Sequence, residues 1–211
     1  MTTKTIITLG RQFGSGGRAV GKKIAEDLGI PYYDKEILSR AAKESGICET
    51  LFENHDEKPT SSFLYSLVMD TYSTGYAAMG MQEMPLSQKV FLAQFDTIKK
   101  IAKEGPCVIV GRCADYALEE FDNVVSVFVD APLEKRIARV AEYEKIDAAA
   151  AKKMVLQNDK KRASYYNYYS NKKWGDAATY DLCVNTGKVG IYGAAEIIKN
   201  YVIMKETRLE L

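Results

Sequence analysis

Residues 6–29, IITLGRQFGSGGRAVGKKIAEDLG, constrain the fold more than any other stretch. An apolar run at Ile6, Ile7 and Leu9 enters a glycine-rich turn, Gly14-Ser15-Gly16-Gly17. The turn opens a helical pattern that Gly29 closes. Strand, glycine loop and helix in that order let backbone N–H groups approach an anion closely, and the start of a helix adds partial positive charge. The alternative reading is a tight strand-to-helix turn with no ligand. The phosphate-binding pattern G-x-x-x-x-G-K-[ST] fails here in every register. Where its lysine should stand there is Gly17, followed by Arg18 and Ala19.

Further apolar runs at 107–110, 124–129 and 182–184, with a shorter one at 31–33, alternate with helical patterns. Continuous apolar runs of this kind mark strands buried on both faces, so the chain predicts a three-layer α/β/α fold around a five-stranded parallel sheet. With 211 residues it is expected to form one domain over 1–211. Asp34 reads as the N-cap of a helix over 35–44, with Gly46 past its end. Pro132 suits the first turn of a helix carrying Arg136 and Arg139. Asp147 is placed to cap the helix that follows, and the last helix is expected over 192–205. Residues 47–85 break the alternation and read as a small insertion. It has one short helix near 62–72 and three methionines, Met79, Met81 and Met84, that suit either a contact surface or gap filling.

Composition removes several function classes. A net charge of +1 gives no reason to expect nucleic acid or a membrane surface as partner. No apolar run approaches the ~20 residues that span a bilayer, and the opening MTTKTIITLG enters a strand at once, so a cytoplasmic protein without a signal peptide is expected. His55 is the single histidine, which excludes a histidine-based triad or a multi-histidine metal site. Cys107 and Cys183 lie in apolar runs and are expected to be buried thiols.

A parallel sheet binds ligands beyond the carboxyl ends of its strands. There the sequence places Arg11 and Arg18, then Asp34 with Arg40 on the next helix, then Arg112 after VIVG, and Asp130. Several arginines on one rim suggest a site for more than one phosphate group. Arg112 has a second reading, pairing with a core carboxylate such as Asp34. Asp159 and Arg162, three apart on a helix, also read as a surface ion pair. Tyr165, Tyr166, Tyr168 and Tyr169 read as a packed helix face or as a base contact.

The motifs RQFGSGG at Arg11 to Gly17, LGIPYYD at Leu28 to Asp34, VGRCAD at Val110 to Asp115, DKKRASYY at Asp159 to Tyr166 and WGD at Trp174 to Asp176 resemble the cytidylate-kinase-like family of P-loop proteins over nearly the whole chain. The resemblance implies a P-loop NTPase-type fold with a nucleoside-monophosphate-binding type of insertion at 47–85 and a helical lid at about 145–175. It also implies ATP, with Mg²⁺, as donor and CMP, dCMP or a similar monophosphate as acceptor. In that family's terms Arg11, Gly14, Ser15, Gly16, Gly17, Arg18 and Ala19 hold the donor phosphates. Asp34, Arg40, Arg112, Asp159 and Arg162 contact the acceptor. Arg18, Arg112 and Arg162 neutralise charge during transfer, Arg18 being the first candidate by position to replace the lysine, with Arg11 behind it. Ala19 stands where a hydroxyl helps hold Mg²⁺. Ser15 and Asp130 are the remaining candidates for a water-mediated contact to it.

Overall fold

The computed structural model describes residues 3–55 and 86–209. Five strands, β1 (Ile6–Arg11), β2 (Tyr32–Tyr33), β3 (Val108–Val110), β4 (Val124–Asp130) and β5 (Leu182–Asn185), form one sheet in the order β2-β3-β1-β4-β5. Every pairing is parallel. The first strand is therefore central, and its carboxyl end, at Arg11, opens in the middle of the sheet's ligand-binding edge.

Alternation along β1 divides the core. Ile7 and Leu9 face one layer with α1 (Gly17–Leu28), where Val20 and Ile24 pack, and with the C-terminal helix through Ala194, Ile198 and Val202. Ile6 faces the other layer, beside Phe91, Phe95 and Ile98 of the long helix over Leu86–Glu104. Each of these fully buried aliphatic side chains contributes about 1.5–3 kcal/mol of transfer free energy, so both faces must be covered. The three-layer expectation holds.

In chain order, α1 is followed by α2 (Glu36–Ser45), α3 (Glu49–His55), α4 (Leu86–Glu104), α5 (Ala114–Ala117), α6 (Leu133–Glu144), α7 (Ala148–Ser170) and α8 (Thr186–Leu209). Asp147 caps α7 as expected, accepting from the Ala150 N–H at 2.8 Å. The last helix begins earlier than its apolar pattern suggests, with a break at Gly190 (φ 74°). Of the insertion, α3 is described. The short helix expected near 62–72 and the three methionines lie outside the described residues.

The tyrosines of α7 pack. Tyr165, Tyr166 and Tyr169 are buried, and Tyr169 stacks on Phe91 at a centroid distance of 3.8 Å. Two sequence expectations are corrected. Cys183 is exposed, because β5 is an edge strand whose Val184 faces the core while its neighbour turns outward. Asp34 caps nothing. Lys35 occupies the N-cap position of α2, without a side-chain cap bond, and the Asp34 carboxylate is held instead by arginines.

Candidate functional site

The loop between β1 and α1 is shaped by its carbonyls. Arg136 donates to Phe13 O (3.2 Å), Arg139 to Ser15 O (2.9 Å) and Gly14 O (3.4 Å), and Thr186 Oγ1 to Ser15 O (2.5 Å). A trans peptide points its C=O and the following N–H in opposite directions. Fixing the Phe13 and Ser15 carbonyls therefore turns the Gly14 and Gly16 N–H groups away from the side chains that hold them. Gly14 and Gly16 have φ of 76° and 85°, a left-handed backbone that glycine adopts without strain. At the start of α1 the first intrahelical bond runs from Val20 N–H to Gly16 O (3.0 Å). The N–H groups of Gly17, Arg18 and Ala19 thus precede the helix's own ladder, and no acidic side chain lies in that first turn.

Beside this loop lies an open cleft of about 840 Å³ whose lining includes Arg11, Gly14, Gly16, Arg18, Ala19, Arg139 and Arg162. Asp34 sits on its wall and organises the cations. Arg18 Nε approaches Asp34 Oδ2 at 2.5 Å, and Arg112 Nη1 approaches Oδ1 at 3.3 Å. Burial opposes ionisation of Asp34, but Arg112 and Arg18, with Arg11 behind them, outweigh it and hold its pKa below the ordinary value. Tyr32, on the same wall, is pushed up to about 12 by burial and by the Asp34 charge. Three guanidinium groups around one carboxylate leave the region positive, as a polyanion requires.

Arg112 is 3% exposed and also donates to Val110 O at 3.2 Å. With Arg11 and Arg162 it lines a small pocket of about 20 Å³. Gly111, Arg112 and Cys113 all have positive φ. For the two side-chain-bearing residues this conformation is strained, and such strain clusters at ligand sites. Arg162 comes from α7, donates to Arg11 O at 3.2 Å and lies 5.4 Å from the Phe13 ring centre.

Not every expected residue joins this group. Asp159 is consumed by the loop itself: Oδ1 accepts from Phe13 N–H at 2.7 Å and Oδ2 pairs with Arg136 at 2.5 Å. Arg40 lies away from the cleft, bonded to Glu44 (2.9 Å) and to Glu104. Ser15 is fully buried, and its hydroxyl has no hydrogen-bond partner and does not line the cleft. Asp130 accepts from Asn185 at 3.1 Å. Ala19 offers a methyl, Asp34 is held by arginines, and no cluster of metal-ligating side chains occurs among the described residues. The residues that sequence reasoning left without a role are Arg136 and Arg139. Their spacing of three on the helix after Asp130-Ala131-Pro132 places both on one face, toward the loop, and that spacing was the available signal.

A third cluster lies beneath Arg112. Asp115 accepts from the Tyr166 hydroxyl at 2.5 Å. Burial drives the Asp115 carboxyl above its ordinary pKa, and Trp174 and Tyr180 pack edge-on or tilted against Phe128 beside it.

Residues 6–188 match the sequence model of the cytidylate kinase-like family. Among curated proteins, the cytidylate kinase of Pyrococcus horikoshii is 28% identical, over 93% of this chain and 87% of the relative. That of Thermococcus kodakarensis is 34% identical, over 92% and 86%. An uncharacterised protein from Eubacterium ventriosum superimposes with a TM-score of 0.71 at 33% identity, covering 94% of this chain and 98% of that one. The shikimate kinase of Bacteroides thetaiotaomicron gives 0.52 at 13% identity, over 94% and 98%, a likeness of fold alone. No helix among the described residues is long and apolar enough to cross a membrane.

Proposed function

The chain belongs to the cytidylate kinase-like family, and from that premise we propose that it transfers the γ-phosphoryl group of ATP to a nucleoside monophosphate, CMP or dCMP. The observation that carries this reading is the convergence of the loop glycines Gly14, Gly16 and Gly17 with Arg11, Arg18 and Arg162 on one cleft. The amides of Gly14, Gly16, Gly17 and Arg18 would take the donor phosphates. Arg112 and Arg162 would take the acceptor phosphate, and Asp34 would space Arg18 from Arg112. Arg40 and Asp159 have no part in holding substrate in this scheme, since their charges are already paired elsewhere.

The chemistry asks little of a protein base. An oxygen of the acceptor phosphate, already anionic near neutral pH, attacks the γ-phosphorus, and the bond to the β–γ bridging oxygen breaks to leave ADP. Catalysis then rests on positioning and on neutralising charge, which suits a rim of arginines in a chain with one histidine. Magnesium bound with ATP would supply further neutralisation. Its ligands here would be phosphate oxygens and water, since the first turn of α1 has no hydroxyl to offer.

Gly17 and Ala19 favour a second reading, a nucleotide-binding module without turnover. An assay of ADP formation across a panel of nucleoside monophosphates separates the two. Stimulation by CMP or dCMP supports the kinase. If ATP raises the melting temperature while no monophosphate stimulates turnover, the kinase reading is wrong.

A further inference from the structure

We propose that Arg11, rather than Arg18, brings to the transferred phosphoryl group the positive charge that a lysine at position 17 would supply. The proposal rests on the phosphotransferase reading and names the cation of that same site.

Gly17 carries the first argument. A Cβ added there would stand 2.7 Å from Arg11 Cβ and 3.2 Å from Arg11 Cγ, with Val129 Cβ at 3.5 Å. Carbon atoms do not approach to 2.7 Å without something shifting. A side chain leaving position 17 and the stem of Arg11 therefore compete for one volume, and Arg11 holds it. The cation has moved from the start of the helix to the last residue of the central strand.

Position carries the second argument. Arg11 is 6% exposed and lies in register with Val129 of β4. Its backbone carbonyl is held by Arg162. It lines both the open cleft and the small pocket shared with Arg112 and Arg162. It thus stands between the loop that would hold the donor and the arginines that would hold the acceptor, where charge passes during transfer. A preorganised cation shielded from water stabilises a transition state far more than a solvated one. Arg18 is the opposite case. Its side chain is 55% exposed. The longer side chain and planar fork of arginine suit a cation that must reach phosphate oxygens from the strand below the loop.

The test compares Arg11→Met, Arg18→Gln and the exchange Arg11→Gly/Gly17→Lys, with circular dichroism and melting temperature verifying the fold. With ATP and the best acceptor of the panel, Arg11→Met is expected to lower kcat by about 100-fold or more, and Arg18→Gln by less than about tenfold. The exchange is expected to recover at least about tenfold over Arg11→Gly, because with the Cβ at position 11 removed lysine enters the vacated volume. The proposal is overturned if Arg11→Met keeps kcat within about threefold of the parent, or if Arg18→Gln loses more than Arg11→Met. If the parent shows no turnover, the kinase reading has failed, and calorimetry then decides the role of Arg11. A phosphate contact requires Arg11→Met to weaken ATP by about tenfold or more while leaving adenosine unchanged, and equal ATP affinity in the two proteins overturns it. Should Arg11→Met not fold, Arg11→Lys, which keeps charge and stem, serves in its place. A fall of kcat to between the parent and Arg11→Gly supports the proposal, and parent-like kcat in Arg11→Gly overturns it.

Discussion

Replacing Asp159 by alanine tests whether this carboxylate serves the loop or the substrate. In the structure it accepts from Phe13 N–H at 2.7 Å and pairs with Arg136 at 2.5 Å, its own side chain being 15% exposed and that of Arg136 7%. Breaking a buried ion pair by removing one partner costs about 3–5 kcal/mol, because the other charge stays buried. Arg136 keeps two carbonyl acceptors, Ala131 O at 3.0 Å and Phe13 O at 3.2 Å, so the loss is placed lower, at about 2–4 kcal/mol including the orphaned Phe13 N–H. For a chain of this size that lowers the melting temperature by about 5–15 °C. Asp159→Asn keeps an acceptor for Phe13 but none for Arg136 and should lose about half as much. In an Arg136→Met background, Asp159→Ala should cost about 1.5–3 kcal/mol less than in the parent. Because the loop backbone is displaced, the KM for ATP should rise along with that for the acceptor. Urea denaturation and steady-state kinetics on the four proteins of the cycle and on Asp159→Asn measure all of this. If Asp159→Ala melts within about 2 °C of the parent and raises the acceptor KM alone, the carboxylate contacts the acceptor nucleotide and the loop-anchoring argument is wrong.

Three further outcomes are expected. Arg40→Ala should leave ATP and acceptor KM unchanged and the melting temperature within about 2 °C, since its partners Glu44 and Glu104 are surface groups; a selective rise in acceptor KM would instead place Arg40 at the substrate. Asp115 has a folded pKa raised by burial, so its contribution is fully present below the unfolded value of about 3.9 and is lost as pH rises through the folded one. The stability of Asp115→Asn relative to the parent should therefore grow as pH rises from about 4 to that folded value, and a pH-independent difference between the two denaturation curves would refute this. A thiol reagent at pH 8 should modify Cys48 and Cys183 quickly and Cys107 and Cys113 only on unfolding, because the first two are exposed and the others buried, with burial pushing Cys107 up to about 12. Four equally fast thiols would contradict the packing of β3.

The fold was legible because its signals are local. The apolar runs mark the strands, and Gly29 and Gly46 both terminate helices in the left-handed conformation. Asp147 caps the helix it precedes. Each depends on a few neighbouring residues, so sequence suffices. The site was legible only in outline, because an arginine is long enough to serve partners far apart in sequence. Arg40 pairs four residues away with Glu44, which helical spacing reveals, but also with Glu104, which only the packing of α2 on α4 reveals. Asp34 reads as a cap by position, yet its partners are Arg18 across the cleft wall and Arg112, 78 residues later. Asp159 and Arg162 read as one ion pair. In three dimensions they grip different parts of the same loop, Asp159 the Phe13 N–H and Arg162 the Arg11 carbonyl.

The departure from the lysine-bearing pattern is then best understood as one correlated change. A lone lysine-to-glycine replacement in a phosphate loop would remove charge and leave a hollow. Here the hollow is filled, because the stem of Arg11 lies where a side chain at position 17 would begin. Glycine at 17 is thus a steric condition for arginine at 11, and either residue changed alone leaves a gap or a clash. The positive charge stays within the site while its point of attachment moves from a helix end to the central strand. That strand is paired on both sides, to β3 and to β4, so the cation is anchored by the most constrained backbone in the sheet. The loop above it, clamped by Arg136, Arg139 and Asp159, has only to present its amides.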